Sequence, residues 1–315
     1  MIEIFKTMEG KVLEQIETVE KDCWISMTNP TPQEIHQIAS VCSVEEEVLK
    51  AALDAEERAR IEKEDEYTLM IVDIPAIEKE VVEKQEKDRY ITMPLAIVHL
   101  DDYIITVCLV DTPVLAQLRT GRVKGFSTHK KTRFILQIFF RVATQFLQFL
   151  RSINRQSETI EDRLHVSQKN KELFELLELQ KSLVYFTTSL RANEGVFEKM
   201  LKSEKVKRYP DDEDLLEDVI IENKQAMEMA NIYNGILSGM VDTFASVISN
   251  NLNIVMKFLA TVTIVMSIPT MIASFYGMNV PLPGQDNPYG FYIVLGFALL
   301  LASIVALIFH KKDVF

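Results

Sequence analysis

Two stretches of this sequence, 258–276 and 291–309, each run for about 20 residues without an Asp, Glu, Lys or Arg, and no other feature constrains the fold so strongly. That length matches the hydrocarbon thickness of a bilayer, where a helix satisfies its own backbone. The alternative, two buried helices of a soluble core, is the weaker reading for segments so long and so free of charge. Flanking charges orient the pair. Lys257 precedes the first stretch and His310, Lys311 and Lys312 follow the second, whereas the connecting loop, 280–290, has no Lys or Arg and one acid, Asp286. The excess of basic residues marks the cytoplasmic side, so both termini are expected there, in a cell (inner) membrane protein.

The remainder of the 315 residues has another character. Met1, Ile2, Glu3, Ile4 and Phe5 form neither a basic nor an apolar leader, so no signal peptide is expected. Three cysteines, Cys23, Cys42 and Cys108, lack metal-ligand spacing and read as buried thiols in a reducing compartment. A net charge of −12 argues against nucleic acid as a partner. Acidic runs at Glu62, Glu64, Asp65 and Glu66, and at Asp211, Asp212, Glu213 and Asp214, read first as solvated surface and second as weak collectors of divalent cations.

Along the chain, 1–125 reads as a compact α/β domain, sandwich-like, within an α+β fold. Apolar stretches at 67–74 and 104–110 predict strands, Asp101 and Asp102 a hairpin turn, and Thr31 with Pro32 a capped helix start, with 44–53 continuing helically. From 126 to 253 long helices are expected, including a stalk. Leu173, Leu176, Leu177, Leu183, Val184 and Leu190 would share one face of a hairpin or bundle. No proline separates Pro210 from Pro269, so one helix would run from about Leu215 into the membrane, roughly 80 Å or more at 1.5 Å per residue. The remaining segments are a first span at 254–276, an external loop at 277–290, a second span at 291–310 and a basic tail at 311–315.

Steps of three and four along this long helix collect Gly235, Gly239, Asp242, Ser246, Ser249, Asn253, Met256, Ala260, Thr263, Ser267, Thr270 and Ser274. A polar, small-residue seam with a mean repeat of about 3.5 stays on one side of a supercoiled helix. At membrane depth hydroxyls and amides belong in helix packing or beside a water-filled pore, and the pattern alone leaves both open. Asp242 and Asn253 at the cytoplasmic end favour a pore, because an acid ring and an amide ring concentrate and orient a cation. Met256 and the neighbouring Leu259 would add an apolar constriction that gates by excluding water.

Directly after the first span stand Tyr276, Gly277, Met278 and Asn279. With that Gly-Met-Asn triplet between two C-terminal spans and a basic tail, the chain resembles the CorA family of magnesium transport proteins over its whole length. The resemblance implies a funnel-shaped homopentamer in a lipid bilayer. The first span would line the pore and the second would form an outer ring. Family pore positions match Asp242, Asn253, Met256, Leu259 and Thr270 here, and the selectivity loop matches Gly277, Met278 and Asn279. Mg²⁺ gives up its waters reluctantly, so Asn279 side chains and loop carbonyls would accept hydrogen bonds from the hydrated ion without stripping it. Gly277 would let the backbone turn without a side chain in the way. The loop departs from some relatives at Val280, Pro281, Leu282, Pro283, Gly284 and Gln285, which lack an acidic stretch.

The resemblance also implies closure by cytoplasmic Mg²⁺ bound between subunits. Asp218 matches the helix acid of that site. The matching domain position is Ala51, with Lys50 beside it, so either Glu47 or Asp54 would supply the second carboxylate or inhibition by internal Mg²⁺ would be weak here. No organic cofactor is expected. An enzyme is disfavoured by the absence of a phosphate loop, of a dinucleotide fingerprint and of a metal-spaced pair among His36, His99, His129, His165 and His310. Two rivals stay open: a related transporter of Zn²⁺, Co²⁺ or Ni²⁺, and a non-conducting membrane-anchored scaffold or sensor. The topology has a direct test. A cysteine placed at Gln285 should react with an impermeant thiol reagent added outside intact cells, and labelling from the inside alone would reverse the orientation.

Overall fold

The computed structural model describes residues 1–8, 12–82, 85–121, 123, 125–167, 170–202, 209–278 and 288–311. They form two compact units, Met1–Val241 and Asp242–Phe315. In the first unit β1 (Ile2–Thr7), β2 (Leu13–Ile16), β3 (Cys23–Thr28), β4 (Arg60–Lys63), β5 (Tyr67–Val82), β6 (Gln85–Leu100) and β7 (Tyr103–Cys108) build one sheet in the order β2-β1-β3-β7-β6-β5-β4. Every neighbouring pair is antiparallel except β3 and β7, which run parallel with Trp24 opposite Ile104. A parallel pair needs a long crossover, and α1 (Pro32–Cys42) and α2 (Glu46–Lys50) lie within it.

Strand alternation sorts the core into layers. Cys23, Ile25 and Met27 join Ile35 and Ile38 of α1 and Val48 and Leu49 of α2 in one apolar cluster. The intervening Trp24 packs against Phe5, Phe126 and Phe134, with ring centroids 5.1, 6.5 and 5.2 Å away. Its buried indole N–H donates to Thr106 Oγ1 at 2.9 Å, so the largest core residue leaves no orphan donor. Thr31 caps α1 as expected. Its hydroxyl accepts from the Glu34 N–H at 3.3 Å, and the Glu34 carboxylate accepts from the Thr31 N–H at 2.8 Å, a reciprocal capping box. The expected strands at 67–74 and 104–110 fall within or across β5 and β7, and Asp101 and Asp102 form the turn between β6 and β7.

A short α3 (Pro113–Arg119) leads to α4 (Lys131–Ser167) and α5 (Asn170–Leu201), an antiparallel pair joined by aromatic contacts. Phe146 meets Phe186 at 5.1 Å and Phe139 meets Phe197 at 4.9 Å. Tyr90 of β6 reaches the pair, 5.5 Å from Phe149, and its hydroxyl accepts from Gln156. This packing corrects the expected apolar face of α5. Leu176, Leu183 and Leu190 are buried as anticipated, but Leu177 and Val184 are 43% and 50% exposed. The buried stripe instead takes in Leu179, Phe186, Asn193 and Phe197, because α5 must meet β5 and β6 as well as α4.

The long helix α6 runs from Pro210 to Tyr276, beginning five residues before the expected start at Leu215. Proline suits the first helical position, whose N–H has no intrahelical acceptor, and Asp211, Asp212 and Glu213 place negative charge on the positive end of the dipole. Asp212, nearly buried, also pairs with Arg133 of α4 at 3.2 Å. Within the first unit Leu216, Val219, Asn223, Ala226, Ala230 and Leu237 form the buried stripe of α6. Pro269 lies inside the helix and does not end it, although it removes the bond to the Val265 carbonyl. The second unit is completed by α7 (Gly290–Lys311). Among the described residues α6 and α7 are the two helices long and apolar enough to cross a membrane.

Candidate functional site

The position of the polar seam depends on which face of α6 the chain uses for its own packing. In the second unit Thr261 is the one buried residue of the first span, at 2% exposure, and Val265, Ile268 and Ile272 are half-buried on the same side. On α7 the buried residues are Ala298 and Ala302, with Val294 and Val305 half-buried in line with them. Small residues at the buried positions are what close helix approach in a membrane requires. The seam lies elsewhere. At 3.6 residues per turn, Ala260, Thr263, Ser267, Thr270 and Ser274 sit roughly 150° around the helix from the Thr261 stripe.

Every seam residue from Gly235 to Ser274 is exposed in the chain, including Asp242, Asn253 and Met256, and so is Leu259 beside it. Gly235 and Gly239 in the first unit are likewise on the side of α6 opposite its buried stripe, together with Ile221 and Ile232, which are 62% and 61% exposed. The small residues of the seam therefore do not serve packing within the chain. Composition could not separate the two roles, because Thr261 and Ala298 are as small and as weakly polar as the seam itself.

Three hydroxyls of the seam bond back to their own helix. Thr263 Oγ1 donates to the Leu259 carbonyl at 2.8 Å, Ser267 Oγ to the Ile264 carbonyl at 2.8 Å and Thr270 Oγ1 to the Met266 carbonyl at 3.0 Å. With each proton committed to its own helix, each oxygen presents only lone pairs outward. An acceptor-only surface suits a partner that donates, such as the water shell of a cation.

After Tyr276 the helix closes by backbone bonds from the Gly277 N–H to the Ala273 and Ser274 carbonyls at 3.0 and 3.2 Å, and from the Met278 N–H to the Phe275 carbonyl at 3.2 Å. Gly277 is not in the left-handed region, and a Cβ there would make ordinary contacts at 3.5 Å. Backbone strain within the chain is therefore not what calls for glycine. Tyr276 and Met278 are 45% and 52% exposed. Asn279 and the rest of the loop through 287 lie outside the described residues.

Glu47, Asp54 and Asp218 are all exposed. Asp54 Oδ1 accepts the Glu56 N–H at 3.0 Å, which orients the carboxylate. Lys50 donates to Glu46 at 2.7 Å and His36 Nδ1 lies 2.9 Å from the same carboxylate, so these groups hold the Glu46 carboxyl below its ordinary pKa, Lys50 more than His36. The ammonium of Lys50 is thus occupied next to Glu47. Among the described residues of the single chain, no three His, Cys, Asp or Glu side chains converge as a metal group.

Comparison with known proteins agrees with this architecture. The family described as CorA-like Mg²⁺ transporter protein matches residues 20–311. The cobalt/magnesium transport protein CorA of Methanocaldococcus jannaschii is 24% identical over 299 residues, covering 92% of this chain and 90% of that protein. Its counterpart in Thermotoga maritima is 20% identical over 312 residues, covering 98% and 88%. The complete structure of the Methanocaldococcus jannaschii CorA magnesium transporter superposes with a TM-score of 0.84 at 22% identity, covering 100% of this chain and 99% of that one.

The assignment of separate faces can be checked by overpacking one of them. Ala298→Leu should destabilise the purified protein by about 1–3 kcal/mol, read as a lower unfolding temperature in detergent, because the added volume has no room on the buried face. Ala260→Leu, on the exposed seam, should leave the unfolding temperature of the dissociated chain unchanged.

Proposed function

This chain belongs to the CorA-like Mg²⁺ transporter family, and from that premise we propose that it is one subunit of a homo-oligomeric channel that conducts hydrated Mg²⁺ across the cell membrane. One observation carries this reading. The continuous polar seam of α6 is exposed and turned away from the packing of its own chain, so other copies can share it around an axis. Ile221 and Ile232, apolar and exposed on the same side, support burial against a neighbouring copy. Five copies is the number the family resemblance supplies. Both termini would be cytoplasmic.

In this channel Asp242 attracts cations at the cytoplasmic end, Asn253 orients their water shells, and Met256 with Leu259 forms the dry constriction. Thr263 and Thr270 offer hydroxyl oxygens as acceptors to first-shell waters. Tyr276, Gly277, Met278 and Asn279 form the outer selectivity loop, where neutral acceptors hold the ion with its waters in place. Co²⁺, named beside Mg²⁺ in both relatives, is a second cargo of similar charge and hydration. Functional segments follow the sequence division: a sensing domain at 1–125, helices and stalk at 126–253, a pore helix at 254–276, a selectivity loop at 277–290, an outer helix at 291–310 and a tail at 311–315.

Cytoplasmic Mg²⁺ would close the channel by bridging Asp218 of one copy and Asp54 or Glu47 of the next. The donor set fits, since Mg²⁺ is usually held by one or two carboxylates and several waters. Lys50 donates to Glu46, and none of the three carboxylates accepts that bond.

Flux into liposomes tests the pore. Asn279→Ala should reduce Mg²⁺ uptake to background while the oligomer still assembles, and Leu259→Ala should raise the leak through the closed state. Uptake undiminished by the first substitution would remove Asn279 from the pathway. A separate experiment addresses closure. Asp218→Ala and Asp54→Ala should each shift inhibition to higher internal Mg²⁺, with the double variant little worse than either alone, because both act through one ion. Unaltered inhibition in all three would place the sensor elsewhere.

A further inference from the structure

Asp22, in the connection between β2 and β3, has a left-handed backbone conformation with a φ of 63°. Such a conformation is uncommon outside glycine, and three hydrogen-bonding contacts fix this residue in it. Its N–H donates to the Asp102 carbonyl at 2.7 Å. Its carboxylate accepts from Lys131, the first residue of α4, through Oδ1, and faces His129 Nδ1 at 3.3 Å through Oδ2. The other ring nitrogen of His129, Nε2, lies 3.0 Å from the carbonyl of Thr7 at the end of β1. Thr7 and the neighbouring Thr128, both buried, exchange two bonds, each N–H donating to the other's hydroxyl at 3.0 Å. The segment that enters α4 is thereby tied to β1 and to the β2–β3 connection.

Both ring nitrogens of His129 therefore face oxygens that can only accept, a backbone carbonyl and a carboxylate. A neutral imidazole carries one N–H, so it serves one of these oxygens and turns a lone pair toward the other. The imidazolium serves both. We propose that His129, Asp22 and Thr7 form a proton-dependent latch that fastens the entry of α4 to the sheet, complete when the ring is doubly protonated and short of one bond when it is neutral. The proton is exchanged with solvent, which the half-exposed ring reaches directly. No other group of the latch changes its protonation.

The charged groups around the ring keep its acceptors in place. Burial acts to raise the Asp22 carboxyl, but the bonds from Lys131 and His129 outweigh it and hold the group below its ordinary value. Asp22 thus stays ionised where histidine titrates, between about pH 5 and 8. In the same connection Lys21 pairs with Asp102 of the β6–β7 turn, where Asp101 also lies, and Glu20 pairs with Lys6 of β1. On the helical side Lys130 is exposed and Arg133 pairs with Asp212 of α6. α4 has no acid in its own first turn, so Asp22 supplies from the sheet the anion that the positive end of the helix dipole favours. The direction follows from the donors. The latch is at full strength on the acid side and loses one bond as the pH rises through the histidine range.

Amide hydrogen exchange of the full-length protein in detergent, corrected for the intrinsic pH dependence of exchange, reads the latch at the amides of Thr7 and Thr128 and requires no transport. In the wild type their protection should fall about fivefold between about pH 5.5 and 8. His129→Gln, which takes up no proton, should show low protection without a slope. Asp22→Asn is the sharper test, because asparagine also tolerates the left-handed conformation. Its amide N–H can donate to the unprotonated Nδ1 while its oxygen still accepts from Lys131, so protection should stay level across the range. His36, His99, His165 and His310 remain in both variants, and any slope they cause would appear in all three proteins. A flat wild-type profile, or the wild-type slope retained in either variant, would overturn the latch whether or not the protein transports anything.

Discussion

A helix that crosses hydrocarbon can show apolar groups to lipid, and must turn polar ones toward protein or water. That restriction organises the surface of α6. The buried residues of the second unit include Thr261 on α6 and Ala298 and Ala302 on α7. Thr263, Ser267, Thr270 and Ser274 stay exposed. Such a face is stable in a bilayer only if something other than lipid covers it. The proposed assembly of several chains around a hydrated axis would meet that demand.

The soluble unit obeys a related rule on another scale. Its sheet is covered by α1 and α2 on one face and by aromatic residues that include Phe126 and Phe134 on the other. Side chains pair some of the polar atoms within it, as with Trp24 on Thr106 and Asn193 on the open edge of β5. Asn193 does by one side chain what another strand would otherwise do, which keeps α5 in register with the ribbon. The Asp73 carboxyl, half-buried beside Asn193, has an ionised form that its own surroundings disfavour.

Much of this was legible in the sequence because it is governed by local rules. Thr31 and Pro32 announce a helix start by the chemistry of the first turn, and Asp101 and Asp102 announce a turn between strands. Where two partners compete for one helix, local rules fall short. Leu177 and Val184 of α5 match the period of their buried neighbours, but α5 faces strands as well as a helix, and the required angle moves the stripe toward Leu179 and Phe186. Likewise glycine at 277 suggested a tight turn, yet its backbone is one that any residue adopts. The role of Asn279 was drawn from its motif alone.

By itself the sequence determined that two segments are fit to span a bilayer and that a polar seam recurs along one side of the long helix. Those are properties of composition and period, which need no knowledge of neighbours. Only the tertiary structure decided that the seam is not the face by which the chain holds itself together. Which face of α6 is buried depends on angle around the helix, and residues as alike as Thr261 and Thr263 meet opposite fates.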